Sequence, residues 1–196
     1  MRDADRRVKF TKMVLRESLL ELMREKPIGE ITVTELCKNA DVNRGTFYTY
    51  YKDPMDLLSH IQDGLCREFD QVLESHRGQS NPRALFLELM QVAYEDKELC
   101  RMALSGGLPL TNQLKALFLE KFAFSWKSAQ PMAPEALHRA VRFLTAGCLS
   151  YFEDWLMEPA PGRPPQAAAE ELMDMMLRFM QGMGLVGTLV PPSETP

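Results

Sequence analysis

The sequence has no long hydrophobic run. Of its 196 residues 45% are hydrophobic, yet no segment approaches the roughly 18 consecutive apolar residues of a membrane-spanning helix. Residues 1–7 are charged and lead into an amphipathic stretch, so the apolar core and the cleavage site of a signal peptide are missing as well. We therefore expect a cytoplasmic protein with no membrane partner.

Cysteine and histidine are scarce, with 4 and 3 residues respectively. The cysteines lie far apart in apolar helical patterns, without a C-x-x-C pair: Cys37, Cys66, Cys100 and Cys148. Buried free thiols are the simplest interpretation, and a redox switch stays open. The histidines have no partner ligands at zinc spacing, and no nucleophile, base and orienting group come together. We expect no metal, no cofactor and no catalytic residues, and hence no enzyme.

One glycine pattern resembles a nucleotide-binding motif. Residues 182–187 fit G-x-G-x-x-G, but a dinucleotide site needs a strand before the pattern and a helix after it. Here a predicted helix precedes the glycines and a Pro-rich tail follows, so we interpret them as the end of the last helix.

Negative charge is in slight excess, with a net charge of −4. The N-terminal quarter of the chain and the remainder, however, have net charges of opposite sign. Residues 1–52 contain 11 Lys or Arg against 8 Asp or Glu, a balance of +3. Residues 53–196 contain 12 against 19, a balance of −7. A mildly basic head on an acidic body is compatible with binding to phosphates, because that affinity depends on local charge.

Runs in which apolar and polar residues alternate, the pattern of half-buried β-strands, are missing too. Helix-forming residues dominate the sequence. Periodicity and Pro or Gly breaks predict helices over about 5–25, 32–40, 44–51, 53–76, 82–96, 97–105, 111–129, 134–157 and 166–184. The predicted fold class is all-α, with about nine helices. A three-helix head (residues 1–52) would contain a helix-turn-helix, a bundle of about six helices (53–187) would form the body, and residues 188–196 would be a flexible tail.

Two short capped helices joined by a tight turn are predicted over residues 32–51. Thr32 and Glu35 form a capping box for the first helix, and Asn43 is a good N-cap for the second. Phe47 and Tyr51 are four residues apart, so they share a face and can pack inward. This is the pattern of a helix-turn-helix, whose second helix enters the DNA major groove. A pair of short core helices is the alternative.

The remaining face of the second helix carries side chains that suit DNA. Arg44 can pair bidentately with a guanine edge, and Thr46 can touch a thymine methyl group. Gly45 lets the backbone approach closely, while Tyr48, Tyr50 and Lys52 are better placed for phosphates and sugars.

Residues 31–58 read ITVTELCKNADVNRGTFYTYYKDPMDLL. This run resembles the N-terminal domain of the TetR/AcrR family of transcriptional regulators, and with the first helix the resemblance covers about residues 8–60. It implies DNA contacts from Thr32, Thr34, Asn43, Arg44, Gly45, Thr46, Tyr48, Thr49, Tyr50 and Lys52. Many members have a phosphate-contacting Lys at the position of Pro54. That Lys is missing here, and Lys52 is the expected substitute.

The predicted helix 134–157 has an apolar seam with heptad-like spacing, formed by Leu137, Val141, Leu144, Cys148, Tyr151 and Trp155. The helix 166–184 is apolar around much of its circumference and adds Met173, Met176 and Met180. We expect a homodimer interface here, as a four-helix arrangement from two subunits, which is also where the family dimerises. A monomeric core is the alternative. Residues 143–156 have a shorter resemblance to the DhaS-like branch of the family.

Aromatic and Met residues between positions 69 and 126 are candidates for a ligand pocket: Phe69, Phe86, Met90, Tyr94, Met102, Phe118, Phe122 and Trp126. Such residues line pockets in many relatives, and they suit a small apolar or aromatic ligand. Plain core packing is the alternative.

The sequence therefore predicts a sequence-specific regulator, by family default a repressor. As a homodimer it would bind a near-palindromic operator in double-stranded DNA, with half-sites about one turn (roughly 34–36 Å) apart. A small ligand or a protein co-regulator at the body would change its DNA affinity. An interaction module that has lost DNA binding, and a carrier or enzyme for apolar ligands, stay open as alternatives.

Overall fold

The computed structural model describes residues 2–76, 82–102, 113, 116, 117, 126–128, 133–159, 162–182 and 185–187. Within these residues the chain forms eight α-helices: α1 (Arg2–Glu25), α2 (Val33–Asn39), α3 (Arg44–Tyr50), α4 (Pro54–Ser75), α5 (Pro82–Glu95), α6 (Lys97–Met102), α7 (Pro134–Met157) and α8 (Pro165–Gly182). The all-α class is confirmed. A search of the described helices finds none whose length and hydropathy would let it cross a membrane.

The chain divides into two compact units, Met1–Leu65 and Cys66–Pro196. The division falls within α4, later than the boundary expected at residue 52. The first turns of α4 belong with the head because Leu57 and Leu58 are buried. In addition, the ring of His60 meets Tyr51 edge-on, with 5.4 Å between centroids.

The first unit is organised around α1. Leu15, Leu19 and Leu22 recur at helical spacing and form one apolar stripe on this helix. The stripe is covered, since Leu15 and Leu19 have no exposed surface and Leu22 is 8% exposed. Ser18 lies on the same face, and its Oγ donates to the carbonyl of Leu36 in α2 at 3.2 Å. The hydrogen bond satisfies a polar group that burial would otherwise leave without a partner. A 3-10 turn at Ile28–Glu30, which was not predicted, leads from α1 towards α2.

The second unit has its core between α5, α7 and α8, which contact one another. Trp155 of α7 is fully buried. Its ring stacks on Tyr94 of α5, with 6.2 Å between centroids. Its indole nitrogen donates to the carbonyl of Arg163 at 2.9 Å, so the one polar atom of the buried ring is satisfied. Trp155 thereby joins α5, α7 and the segment that precedes α8.

Charged side chains fix the C-terminal end of α7. Arg101 of α6 donates to the carbonyls of Leu156, at 2.6 Å, and of Glu158. A cation at this end of a helix also compensates the helix dipole. The Arg163 guanidinium is hydrogen-bonded to Glu158 and holds the pKa of that carboxyl below its ordinary value. The entry into α8 is thus fixed by hydrogen bonds as well as by packing.

Two three-residue strands were not predicted. β1 (Trp126–Ser128) pairs antiparallel with β2 (Leu185–Gly187), with Trp126 opposite Gly187. The prediction of a helix over 111–129 is therefore wrong at 126–128, although Gln113, Ala116 and Leu117 are helical. Helical periodicity describes only local sequence, whereas a strand pair depends on a partner far away in the chain. The last helix does end at Gly182, and the expected tail 188–196 lies outside the described residues.

Candidate nucleic-acid interface

The turn between α2 and α3 depends on one residue in the left-handed region. Asp41 has φ 51°, a conformation that Asp and Asn adopt more readily than most other non-glycine residues. The amide of Val42 donates back to the carbonyl of Cys37 at 2.9 Å. Asn43 then starts α3, because its Oδ1 accepts from the amide of Gly45 at 2.7 Å. The predicted helix-turn-helix is therefore present, with the predicted N-cap.

The start of α2 is fixed by the predicted capping box. The Oγ1 of Thr32 accepts from the amide of Glu35 at 3.2 Å. The Glu35 carboxylate also pairs with the ammonium of Lys26 at 2.6 Å. The hydrogen bond from Lys26, with a smaller contribution from the backbone of Thr32, lowers the pKa of Glu35. The carboxylate therefore stays charged at neutral pH and links α2 to the residues that follow α1.

The inner face of α3 is anchored by two aromatic residues, as predicted. Phe47 has no exposed surface and Tyr51 is 7% exposed. Their ring centroids are 5.8 Å apart. Burial raises the pKa of Tyr51, so its hydroxyl stays protonated at neutral pH. Because a helix turns by about 100° per residue, this anchor fixes which side chains of α3 point outward.

All ten residues predicted to contact DNA lie in the first unit. Eight of them are exposed: Thr32, Thr34, Asn43, Arg44, Gly45, Tyr48, Thr49 and Lys52. Thr46 and Tyr50 are half-buried and flank the outward face. The Thr49 hydroxyl donates to the carbonyl of Gly45 at 3.0 Å, so its oxygen is left as an acceptor on this face. We call the outward side of α3, together with the start of α2 and residue 52, the recognition surface.

The charge on the recognition surface is positive. Within the described part of the chain, no carboxylate lies at ion-pair distance from Arg44. Its guanidinium therefore keeps five donors in a fixed planar fork, an arrangement suited to bidentate pairing with an acceptor pair such as the guanine edge.

The N-terminus of α4, next to the recognition surface, is occupied by carboxylates. Asp53 Oδ1 accepts from the amide of Asp56 at 2.8 Å, and Asp56 Oδ2 accepts from the amide of Lys52 at 2.9 Å. Pro54 is buried. Asp53 stands directly before Pro54, the first residue of α4, which is the usual sequence pattern of an N-cap. The role of Asp56 was missed, although an Asp three residues after an N-cap is the signal of a second cap.

The body residues expected at a dimer interface differ in how far their own protomer covers them. Most of those with described side chains are buried in their own protomer: Leu144, Trp155, Met173, Met176 and Met180. Cys148 and Tyr151 are half-buried, and the side chains of Leu137 and Val141 lie outside the described residues. The apolar seam therefore faces the core of the second unit. A heptad pattern identifies a buried face but not the helix that covers it.

The candidate pocket residues also differ in how far they are buried. Phe69, Phe86 and Met90 are buried, whereas Tyr94 is 43% exposed and Met102 is half-buried. Phe118, Phe122 and the side chain of Trp126 lie outside the described residues. Phe86 and Met90 line a cavity of about 20 Å³, together with Thr145, Cys148, Phe152 and Leu172. This volume holds about one water molecule, and burial raises the pKa of the Cys148 thiol to about 11.

Solved structures with the same fold are transcriptional regulators. A regulator of the TetR/AcrR type from Aquifex aeolicus is 17% identical with a TM-score of 0.65, covering 86% of this chain and 99% of that one. The dihydroxyacetone kinase operon activator DhaS is 14% identical with a TM-score of 0.62, covering 88% and 97%. NalD of Pseudomonas aeruginosa, a repressor of a multidrug efflux pump, is 22% identical with a TM-score of 0.58, covering 95% and 98%. The chain therefore has the fold of the TetR/AcrR regulators, as the resemblance implied.

Sequence comparison gives a more local match. YxbF of Bacillus subtilis, described as an HTH-type transcriptional regulator, is 34% identical over 55 residues. The match covers 26% of this chain and 14% of YxbF. No protein-family model matches the chain.

Proposed function

We propose that this chain, which has the fold of the TetR/AcrR regulators, is a member of that family and a sequence-specific DNA-binding transcriptional regulator. The observation that carries the proposal is the recognition surface. Phe47 and Tyr51 anchor α3 inside the first unit, so Arg44, Tyr48 and Thr49 point outward together. The major groove is about 12 Å wide and admits one α-helix.

Each part of the recognition surface has its own proposed role. Arg44 reads a guanine edge, and Thr46 contacts a base edge or a thymine methyl group. Tyr48 and Lys52 hold the sugar–phosphate backbone, which positions the protein but carries no sequence information. Thr34, exposed in the first turn of α2, offers its hydroxyl to a phosphate.

Amide hydrogen exchange tests this assignment directly. On addition of a saturating mixed-sequence duplex at low salt, where phosphate contacts are strongest, we expect exchange to slow at residues 32–52. Amides of α6 (Lys97–Met102), a short helix of the second unit, serve as the internal control and should keep their rates. Unchanged exchange at 32–52 in a bound complex would contradict the proposed surface.

We further propose that the protein is a homodimer, formed through the outer faces of α7 and α8. The support is an exposed apolar patch in the second unit. Phe143 is 64% exposed and stacks on Phe179, with 5.3 Å between centroids, while Met175 is 53% exposed. Gly147 lies on the same helix with open space where a Cβ would stand, so a second helix could approach closely. Exposed apolar patches of this kind mark interaction sites.

Sedimentation equilibrium tests the dimer. Phe143→Glu should weaken self-association at least about tenfold, because it puts a carboxylate into the centre of an apolar interface. Phe10→Glu is the matched control, since Phe10 is 61% exposed and lies in the first unit. A wild-type protein that is monomeric at micromolar concentration, or equal association of both variants, would contradict the dimer.

The finer regulatory features are proposed on the same basis. Two recognition surfaces in a dimer fit a near-palindromic operator with half-sites about one turn apart. We propose repression, with DNA affinity changed by a small apolar or aromatic ligand or by a protein co-regulator at the second unit. The apolar lining of the cavity, with the adaptable Met90, supports an apolar ligand, although the cavity must widen to admit one. A DNA-binding regulator works where the DNA is, so we place the protein in the cytoplasm.

A further inference from the structure

A lysine of α1 lies against the end of the recognition helix. The Nζ of Lys12 is 5.5 Å from the centroid of the Tyr50 ring, within the range of a cation–π interaction. Tyr50 is one turn beyond Thr46 and flanks the outward face of α3. Lys12 itself is exposed. The contact therefore places a positive charge at the edge of the recognition surface.

The charge of Lys12 is not neutralised by its own protein. In the part of the chain that the structure describes, no carboxylate lies at ion-pair distance from Lys12. Lys26 differs in this respect, because its ammonium is paired with Glu35 at 2.6 Å. The Tyr50 ring covers one side of the Lys12 ammonium without supplying a hydrogen-bond acceptor, so its N–H donors remain available to an anion.

The neighbouring helix N-terminus is poorly suited to the same task. At the start of α4, Asp56 accepts from the amide of Lys52 and Asp53 accepts from the amide of Asp56. Two carboxylates thus accept the hydrogen bonds that these amides could otherwise donate to a phosphate. Their negative charge also repels a phosphate. Pro54 supplies neither a cation nor an N–H group. A phosphate contact at this side of the recognition surface must therefore come from side chains outside α4, such as Lys52 and Lys12.

We propose that Lys12, held by Tyr50, is a phosphate-contacting residue at the edge of the recognition surface. This inference rests on the proposed DNA binding and extends it to a residue of α1. Lys12 contacts a phosphodiester of the DNA backbone and contributes affinity without sequence preference. Tyr50 is the positioning residue, because its ring restricts the flexible lysine side chain.

The chain offers a matched control for this contact. Lys97 Nζ lies over the Tyr94 ring, also at 5.5 Å from the centroid, but both residues belong to the second unit. Lys97→Met and Lys12→Met therefore remove the same charge from the same kind of cation–π pair. Lys12→Arg keeps the charge and the stacking, and serves as the rescue variant.

The test is the salt dependence of binding to a mixed-sequence duplex of about three helical turns, measured by fluorescence anisotropy. Each phosphate contact contributes a slope of about −0.9 in the plot of log K against log salt concentration. We expect Lys12→Met to make the slope shallower by about 0.9 per protomer and to lower the affinity about eightfold per protomer at 0.1 M salt. Lys12→Arg and Lys97→Met should keep the wild-type slope.

The outcomes separate the inference from the proposed function. If the wild-type protein binds but Lys12→Met retains its slope, Lys12 makes no phosphate contact and the inference is overturned. If Lys12→Met lowers the affinity but leaves the slope of log K against log salt concentration unchanged, Lys12 has only a structural role, and the inference is also overturned. If the wild-type protein fails to bind any duplex at low salt, the proposed function itself fails and the inference falls with it.

Discussion

Replacing Phe47 by alanine is expected to destabilise the first unit by about 3–5 kcal/mol. Phe47 has no exposed surface, and its ring contacts Tyr48 edge-on and Tyr51 at centroid distances of 5.6 and 5.8 Å. Removing it leaves a cavity beneath the recognition helix. The loss is comparable to the whole stability of many small domains, so the variant should also lose DNA binding.

Urea denaturation followed by circular dichroism and by tryptophan fluorescence measures this loss. Both tryptophans belong to the second unit, so their fluorescence reports that unit while circular dichroism reports all helices. Phe47→Ala should lower the urea midpoint of the first unit by about 1 M or more and leave the tryptophan transition in place. Phe10→Ala is the control, because Phe10 is 61% exposed and should change stability by less than about 0.5 kcal/mol. Equal midpoints for both variants would mean that α3 is not anchored by Phe47.

The second large effect is expected for Arg44→Ala in binding to the specific site. A bidentate contact between Arg and guanine discriminates by about 1–3 kcal/mol. A dimer makes the contact in both half-sites, so the specific affinity should fall at least about 30-fold. Binding to unrelated duplex should change much less, because the residues proposed for the backbone, Tyr48 and Lys52, remain. Competition between specific and unrelated duplex, measured at one salt concentration, gives the specificity ratio, which is the affinity for the specific site divided by the affinity for unrelated duplex.

Arg67→Ala is the control for this loss. Arg67 is exposed on α4 within the second unit, and its removal changes the net charge of the protein by the same amount. Its specificity ratio should equal that of the wild-type protein. If Arg44→Ala weakened specific and unrelated DNA equally, Arg44 would be a backbone contact and base reading would have to come from other residues of α3.

The helix-turn-helix was predictable because its determinants are local. Caps at Thr32 and Asn43 and the spacing of Phe47 and Tyr51 lie within one or two turns of the residues they organise, and each was confirmed. The left-handed conformation of Asp41 within that turn was not predicted. The contact of Lys12 with Tyr50 was not predictable, because it joins two elements whose packing angle no local pattern specifies.

The second unit was harder to predict for the same reason. The seam of α7 was correctly identified as apolar, and Trp155 and Leu144 are buried within the protomer. Periodicity shows that a face is buried without showing what buries it. The exposed Phe143 became a candidate for the dimer interface only when the packing of α5, α7 and α8 was known. The pairing of β1 with β2 is a still longer-range feature.

The central claim, that this protein reads DNA sequence through α3, is tested most directly by selection of bound sequences from random duplex DNA with the wild-type protein. We expect enrichment of a near-palindromic site whose half-sites are centred about one helical turn apart, with a guanine opposite Arg44 in each. Retention of DNA without enrichment of any sequence, even at low salt where binding is strongest, would contradict it.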